Sequence, residues 1–177
     1  MRFDPANRYE QFVLIQVSYI SQQKSFYIIQ PQNSNFMKIL ILCTGNSCRS
    51  QMAHGFLQSF DKNLIVCSAG TEPAMHINPK AVVVMKEVGI DVSNHKPTMV
   101  NQYLNEEWDY VITVCDNAKE TCPVFFGNVA HRLHIGFEDP SNATGTEEFI
   151  WREFRKVRDA IKQSFYKFYI EQINPQL

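Results

Sequence analysis

No apolar run in this chain approaches the roughly 18 to 20 residues that a helix needs to cross a bilayer. The nearest stretch, residues 12–20, is interrupted by Gln16 and Ser18. Asp4 and Glu10 spoil the positive flank of a secretory leader, and no small-x-small cleavage pattern follows. A cytoplasmic location without a membrane partner is the expectation. An excess of one charge is also missing: 17 Lys and Arg stand against 18 Asp and Glu. That balance leaves no electrostatic footprint for nucleic acid. Cysteine is scarce, and its count is odd, with five residues at 43, 48, 67, 115 and 122. An odd number in a chain large enough to bury its own core argues against a disulfide framework. The thiols then stand as candidates for catalysis, redox chemistry or metal binding. Disorder is excluded for the bulk of the chain, because 45% of it is hydrophobic and only 20% charged.

Residues 1–36 differ from the rest. Their second half is rich in Gln, Asn and Ser and has no sustained hydrophobic period. This segment reads as a poorly ordered extension, or as sequence upstream of the true start, rather than a docking element. Residues 37–177 read as one catalytic domain. Ile39-Leu40-Ile41-Leu42 is short, apolar and partly β-branched, as a strand buried on both faces should be. A helix follows from about Ser50 to Phe60, and a second strand spans Leu64 to Cys67, ended by Ser68-Ala69-Gly70. Asn78-Pro79 caps a helix over 79–88 that Gly89 closes. Residues 109–114 form a third buried strand, and residues 132–135 a weaker fourth. Thr144 to Glu147 has the pattern of a capping box. After it, Ile150, Phe154, Val157, Ile161, Phe165 and Phe168 recur at helical spacing. Alternating strands and helices imply an α/β fold, an open parallel sheet of about four strands with helices on both faces. Ligands of such sheets bind beyond the carboxyl ends of the strands. Function is therefore expected in the loops after Leu42, Val114 and Ile135.

The first of these loops reads Cys43-Thr44-Gly45-Asn46-Ser47-Cys48-Arg49-Ser50. It joins a strand end to a helix start, where backbone N–H groups and the helix dipole attract anions. Gly45 and Asn46 tolerate positive φ, so the loop can curl its N–H groups inward as a nest. Thr44, Gly45, Asn46, Ser47 and Cys48 are therefore the candidate oxyanion-binding residues. Arg49 can fold its planar fork over two oxygens of a tetrahedral oxyanion. Cys43 lies at the bottom of the loop, where positive potential favours a thiolate nucleophile. Ser50 is placed to donate a hydrogen bond to its sulfur. The competing reading, a buried thiol at a strand end, explains a lone cysteine but not this loop with its arginine.

The strand, the Cys-x5-Arg-Ser spacing and the following helix resemble the low-molecular-weight tyrosine phosphatase superfamily. The resemblance runs from Met37 to about Phe168. Within the superfamily the chain is most similar to the thioredoxin-coupled arsenate reductases. Ser50-Gln51-Met52-Ala53, Ser68-Ala69-Gly70, Asn78-Pro79-Lys80-Ala81, Met85-Lys86-Glu87, Ser93-Asn94-His95 and Gly136-Phe137-Glu138-Asp139-Pro140 carry that likeness. Phosphatases of the fold usually have proline where this chain has Gln51.

The distinguishing feature is the pair Cys115 and Cys122. Zinc pairs sit closer together and come with a second pair, so no metal is expected. The resemblance implies that the Cys43 thiolate attacks arsenate while Asp139 donates a proton to the departing oxygen. Cys115 would then attack the Cys43 adduct, expelling arsenite, and Cys122 would form the final disulfide with Cys115. Thioredoxin would reduce that disulfide as an external partner, with no tightly bound cofactor. A plain Asp-Pro turn at Asp139 and an incidental Cys115/Cys122 pair are the competing structural readings. The alternative function is a low-molecular-weight protein-tyrosine phosphatase, which needs only Cys43, Arg49 and Asp139. Some arsenate reductases hold potassium with carboxylates at positions matching His54 and Thr98. Neither is a carboxylate here, so no strong potassium site is expected. Cys67 reads as core, and the five histidines (54, 76, 95, 131 and 134) as solvated or structural.

Overall fold

A computed structural model describes residues 36–116 and 124–176. The expected extension over residues 1–36 therefore falls, but for Phe36, outside the described residues, and so does Cys122. Four strands form one parallel sheet: β1 (Lys38–Cys43), β2 (Ile65–Gly70), β3 (Glu107–Thr113) and β4 (Asn128–His134). Their order is β2-β1-β3-β4, so β1 and β3, the two most apolar strands, lie in the centre. The α-helices are α1 (Arg49–Phe60), α2 (Pro79–Lys86) and α3 (Glu147–Phe168).

Alternation along β1 divides the core. Ile39 and Ile41 point into a large cluster built with α1, α2 and α3. Leu40 and Leu42 point into a smaller one with Ala69, Val100, Trp108, Val111 and Phe125. Both faces of the sheet are thus covered. One carries the three α-helices, and the other carries a short 3-10 helix, Val100–Tyr103. On α3 the predicted stripe is the buried one, with Phe154, Val157, Ile161, Phe165 and Phe168 at most 6% exposed. Arg158, also on α3, reaches the carbonyl of Val84 at 3.0 Å and the Glu87 carboxylate at 2.8 Å, tying α3 to the end of α2.

Three local expectations need correction. The second strand continues through Ser68-Ala69-Gly70 instead of ending there. β4 begins at Asn128, well before the apolar residues that signal it, because an edge strand whose residues are mostly exposed shows little hydrophobic pattern. The N-cap of α3 is Thr146, whose side chain accepts from the Phe149 N–H at 3.2 Å. Gly145 at φ 131 turns the chain just before it, so Thr144 lies outside the helix.

Candidate active site

The site sits where β1 ends and α1 begins. Residues 44–47 hang by their carbonyls from surrounding structure. Thr44 O accepts from Glu72 N at 3.0 Å, Gly45 O from Ala74 N at 2.9 Å, and Ser47 O from Asn78 N at 3.0 Å. Asn46 O accepts from the side chain of Gln51 at 3.0 Å. In a planar trans peptide the N–H points opposite the C=O. Pulling four successive carbonyls outward therefore turns the following N–H groups inward, into the nest expected of an oxyanion site. Asn46 takes φ 46, the left-handed region that asparagine tolerates. The neighbouring end of β2 must be glycine: a β-carbon on Gly70 would collide with the Thr44 carbonyl and come 3.1 Å from Asn46 N.

Cys43 lies at the floor of this loop, 2% exposed. Its sulfur accepts from Asn46 N at 3.1 Å and is 2.9 Å from Ser50 Oγ. The direction of the second bond follows from its neighbours. Thr98 N donates to Asn46 Oδ1 at 2.8 Å, which turns Asn46 Nδ2 toward Ser50 Oγ, also at 2.8 Å. The Ser50 oxygen is thereby an acceptor, and its hydroxyl proton is free to point at the sulfur. Burial nevertheless raises the Cys43 thiol above its ordinary range, against the pull of Ser50, the Asn46 N–H and Arg49. The sequence emphasises only that downward pull; the desolvation opposing it comes from packing. Cys48, also buried, is pushed up to about 12 by burial first and by the Asp139 charge second. Its thiol stays protonated near neutral pH and its contribution to the loop is backbone.

Arg49 is 2% exposed, and its fork crosses to the loop after β4. Nη1 donates to Phe137 O at 3.1 Å and Nη2 to Asp139 Oδ2 at 2.6 Å. The other oxygen of Asp139 accepts from the N–H and hydroxyl of Ser141, at 2.9 and 2.6 Å. Asp139 therefore caps the Asp-Pro turn, as the structural reading expects, and also pairs with the arginine of the oxyanion loop. A cleft beside it is lined by Asp116, Glu138, Asn142, Phe149 and Val157.

Cys115 closes the third side. Leu42 pairs with Thr113 across β1 and β3, and Val114 N donates to Leu42 O at 2.9 Å. Cys43 follows Leu42 directly and Cys115 lies two residues beyond Thr113, so both leave the same edge of the sheet. Cys115 is fully buried and disulfide-bonded, whereas Cys43, Cys48 and Cys67 are free.

Several supporting residues escape sequence reasoning. Gln51 is buried and donates to Asn46 O and, at 3.4 Å, to Lys96 O. Its oxygen can then only accept, so His95 Nδ1, 2.9 Å away, carries a proton. The His95 ring lies 4.4 Å from that of His54, which contacts Ser68 Oγ at 3.3 Å. Gln51 in place of proline was the available signal; the histidines gave none.

Residues 38–176 match the family model for low molecular weight phosphotyrosine protein phosphatase, and the chain belongs to that family. Among curated relatives, the arsenate reductases of Bacillus subtilis (strain 168) and Halalkalibacterium halodurans are each 45% identical over 131 residues, covering 73% of this chain and 93% of the relative. A solved structure of an arsenate reductase in the phosphate-binding state superposes with a TM-score of 0.64 at 28% identity, covering 75% of this chain and 96% of that one.

Proposed function

We propose that this protein is an arsenate reductase that works through a three-cysteine relay and is re-reduced by thioredoxin. One observation carries the reading: a free Cys43 in an oxyanion loop lies one strand away from a Cys115 already held in a disulfide. A phosphatase needs no such second thiol.

Arsenate enters the nest of N–H groups, and Arg49 exchanges Phe137 O and Asp139 for two of its oxygens. The dianion can take the proton that burial holds on Cys43, and the resulting thiolate attacks arsenic. Released from the arginine, Asp139 Oδ2 is free to carry the proton needed by the leaving oxygen. Cys115 resolves the adduct, and Cys122 takes over the disulfide for thioredoxin to reduce by exchange.

The test is arsenate-dependent NADPH oxidation with thioredoxin and thioredoxin reductase, run beside p-nitrophenyl phosphate hydrolysis. Turnover in the first assay is expected, and Cys43→Ser should abolish both activities. Cys122→Ser should release about one arsenite per chain and stop, since each thiolate attacks the sulfur made electrophilic by the step before. Hydrolysis of the phosphate ester without arsenate-dependent NADPH loss would instead favour the phosphatase.

A further inference from the structure

We propose that Ser141 is a positioning residue that fixes which oxygen of Asp139 carries the proton for the leaving group. This rests on the reading above, in which Asp139 protonates the departing oxygen, and it gives a role to a side chain outside the oxyanion loop.

The two oxygens of Asp139 stand in different surroundings. Oδ1 accepts from the Ser141 backbone N–H at 2.9 Å and from the Ser141 hydroxyl at 2.6 Å. Oδ2 accepts from Arg49 Nη2 at 2.6 Å. A carboxylate oxygen offers two lone pairs, and two donors occupy those of Oδ1. One of these donors is a backbone N–H, which cannot turn into an acceptor. Oδ2 gives up its arginine when the substrate arrives, so it is the oxygen left to take a proton. The Ser141 hydroxyl is surplus to the turn itself. Backbone bonds close that turn without it: Asn142 N donates to Asp139 O and Ala143 N to Pro140 O, both at 3.2 Å, over a buried Pro140. What the hydroxyl adds is a second donor on one chosen oxygen. Without it, Oδ1 has a lone pair open and competes with Oδ2 for the proton.

The step balances as follows. Asp139 is 21% exposed, and solvent supplies the proton to Oδ2 once the arginine has left. The Cys43 thiolate gives an electron pair to arsenic, and an arsenic–hydroxyl bond breaks with its pair staying on oxygen. That oxygen takes the Oδ2 proton and leaves as water. No redox change occurs here; arsenic is reduced only when Cys115 resolves the adduct.

The experiment uses the full chain, reduced beforehand with dithiothreitol. A single-turnover arsenate pulse reads arsenite release, and hydrolysis of phenyl phosphate beside p-nitrophenyl phosphate reads the demand for an acid. Phenolate is the poorer leaving group and needs the proton more. Ser141→Ala is expected to slow arsenite release at saturating arsenate by about tenfold, the equivalent of one hydrogen bond. The arsenate concentration for half-maximal rate should stay unchanged, and phenyl phosphate should lose more rate than its nitro analogue. Ser141→Thr, which keeps the hydroxyl, should restore all three. Introduced into Asp139→Asn, Ser141→Ala should cause no further slowing, because the two act as one unit. Ser141 is exposed, so each substitution leaves the core untouched. Wild-type rates in Ser141→Ala, or the same slowing with and without Asp139, would overturn the assignment. Failure of the underlying reading looks different. Asp139→Asn at the wild-type rate would remove the acid itself, and ester hydrolysis without arsenite release would remove the reductase while the two esters still judge Ser141.

Discussion

At the scale of single residues, Asn46 is the group that ties the reactive loop to its surroundings. Its backbone N–H faces the Cys43 sulfur, its side chain links Thr98 N to Ser50 Oγ, and its carbonyl is held by Gln51. The side chain is wholly buried, so losing it leaves the Thr98 N–H unpaired at a cost of about 1 to 3 kcal/mol. It also frees the Ser50 hydroxyl to turn away from the thiolate. Asn46→Gly keeps the positive φ without strain, whereas Asn46→Ala adds roughly 1 to 2 kcal/mol of left-handed backbone cost. Both variants should lower kcat/KM for arsenate by at least about tenfold, the equivalent of one hydrogen bond of ~1.4 kcal/mol. Only the alanine should also lose clear thermal stability relative to the glycine. Equal activity of Asn46→Gly and wild type would show that backbone conformation alone positions Cys43.

Elements bring these residues together, and here the sequence was legible unevenly. Ile39 to Leu42, the stripe on α3 and the Asn78-Pro79 start of α2 were readable because burial imposes a period or a cap chemistry on consecutive residues. The loop chemistry of Cys43 and Arg49 was readable because its residues are contiguous. The clamp around the loop was not. Thr98 lies 52 residues from Asn46, Asp139 lies 90 from Arg49, and segment 72–78 meets the loop through backbone atoms that have no sequence signature. Gly70 belongs to this hidden set. It reads as the residue that ends β2, yet its lack of a β-carbon is what lets the oxyanion loop close against the strand. Gly70→Ala should therefore push Thr44 outward and loosen the nest. Overpacking of this kind costs about 1 to 3 kcal/mol. The expected outcome is a melting point lower by several degrees and a phosphate concentration several-fold higher to protect Cys43 from alkylation. Protection at the wild-type concentration would mean that the loop accommodates the methyl group.

For the whole molecule, the family match begins at residue 38, and among the described residues both apolar clusters are built from residue 37 onward. A chain lacking residues 1–36 should thus keep one cooperative calorimetric transition and full reductase activity; insolubility or loss of the transition would make the extension structural. The folded domain also carries a pH dependence that belongs to no catalytic step. His54 is pushed down from 6.5 to about 4, by burial first and by the neighbouring His95 second. Burial lowers His95 as well. In the unfolded chain His54 takes a proton near its ordinary value, but in the folded domain only near pH 4. Between those values the unfolded state binds more protons, so stability rises with pH across this window and is lost as pH falls. Above about pH 6.5 the effect is absent. Its full size is about 3 kcal/mol for a shift of this extent. Urea unfolding of the wild type should therefore show stability falling steadily from pH 6.5 to 4.5. His54→Gln, which does not titrate and keeps an amide for Ser68, should show a much shallower fall over the same range. Parallel curves for the two proteins would mean that His54 is protonated in the folded state, with the acid sensitivity arising elsewhere.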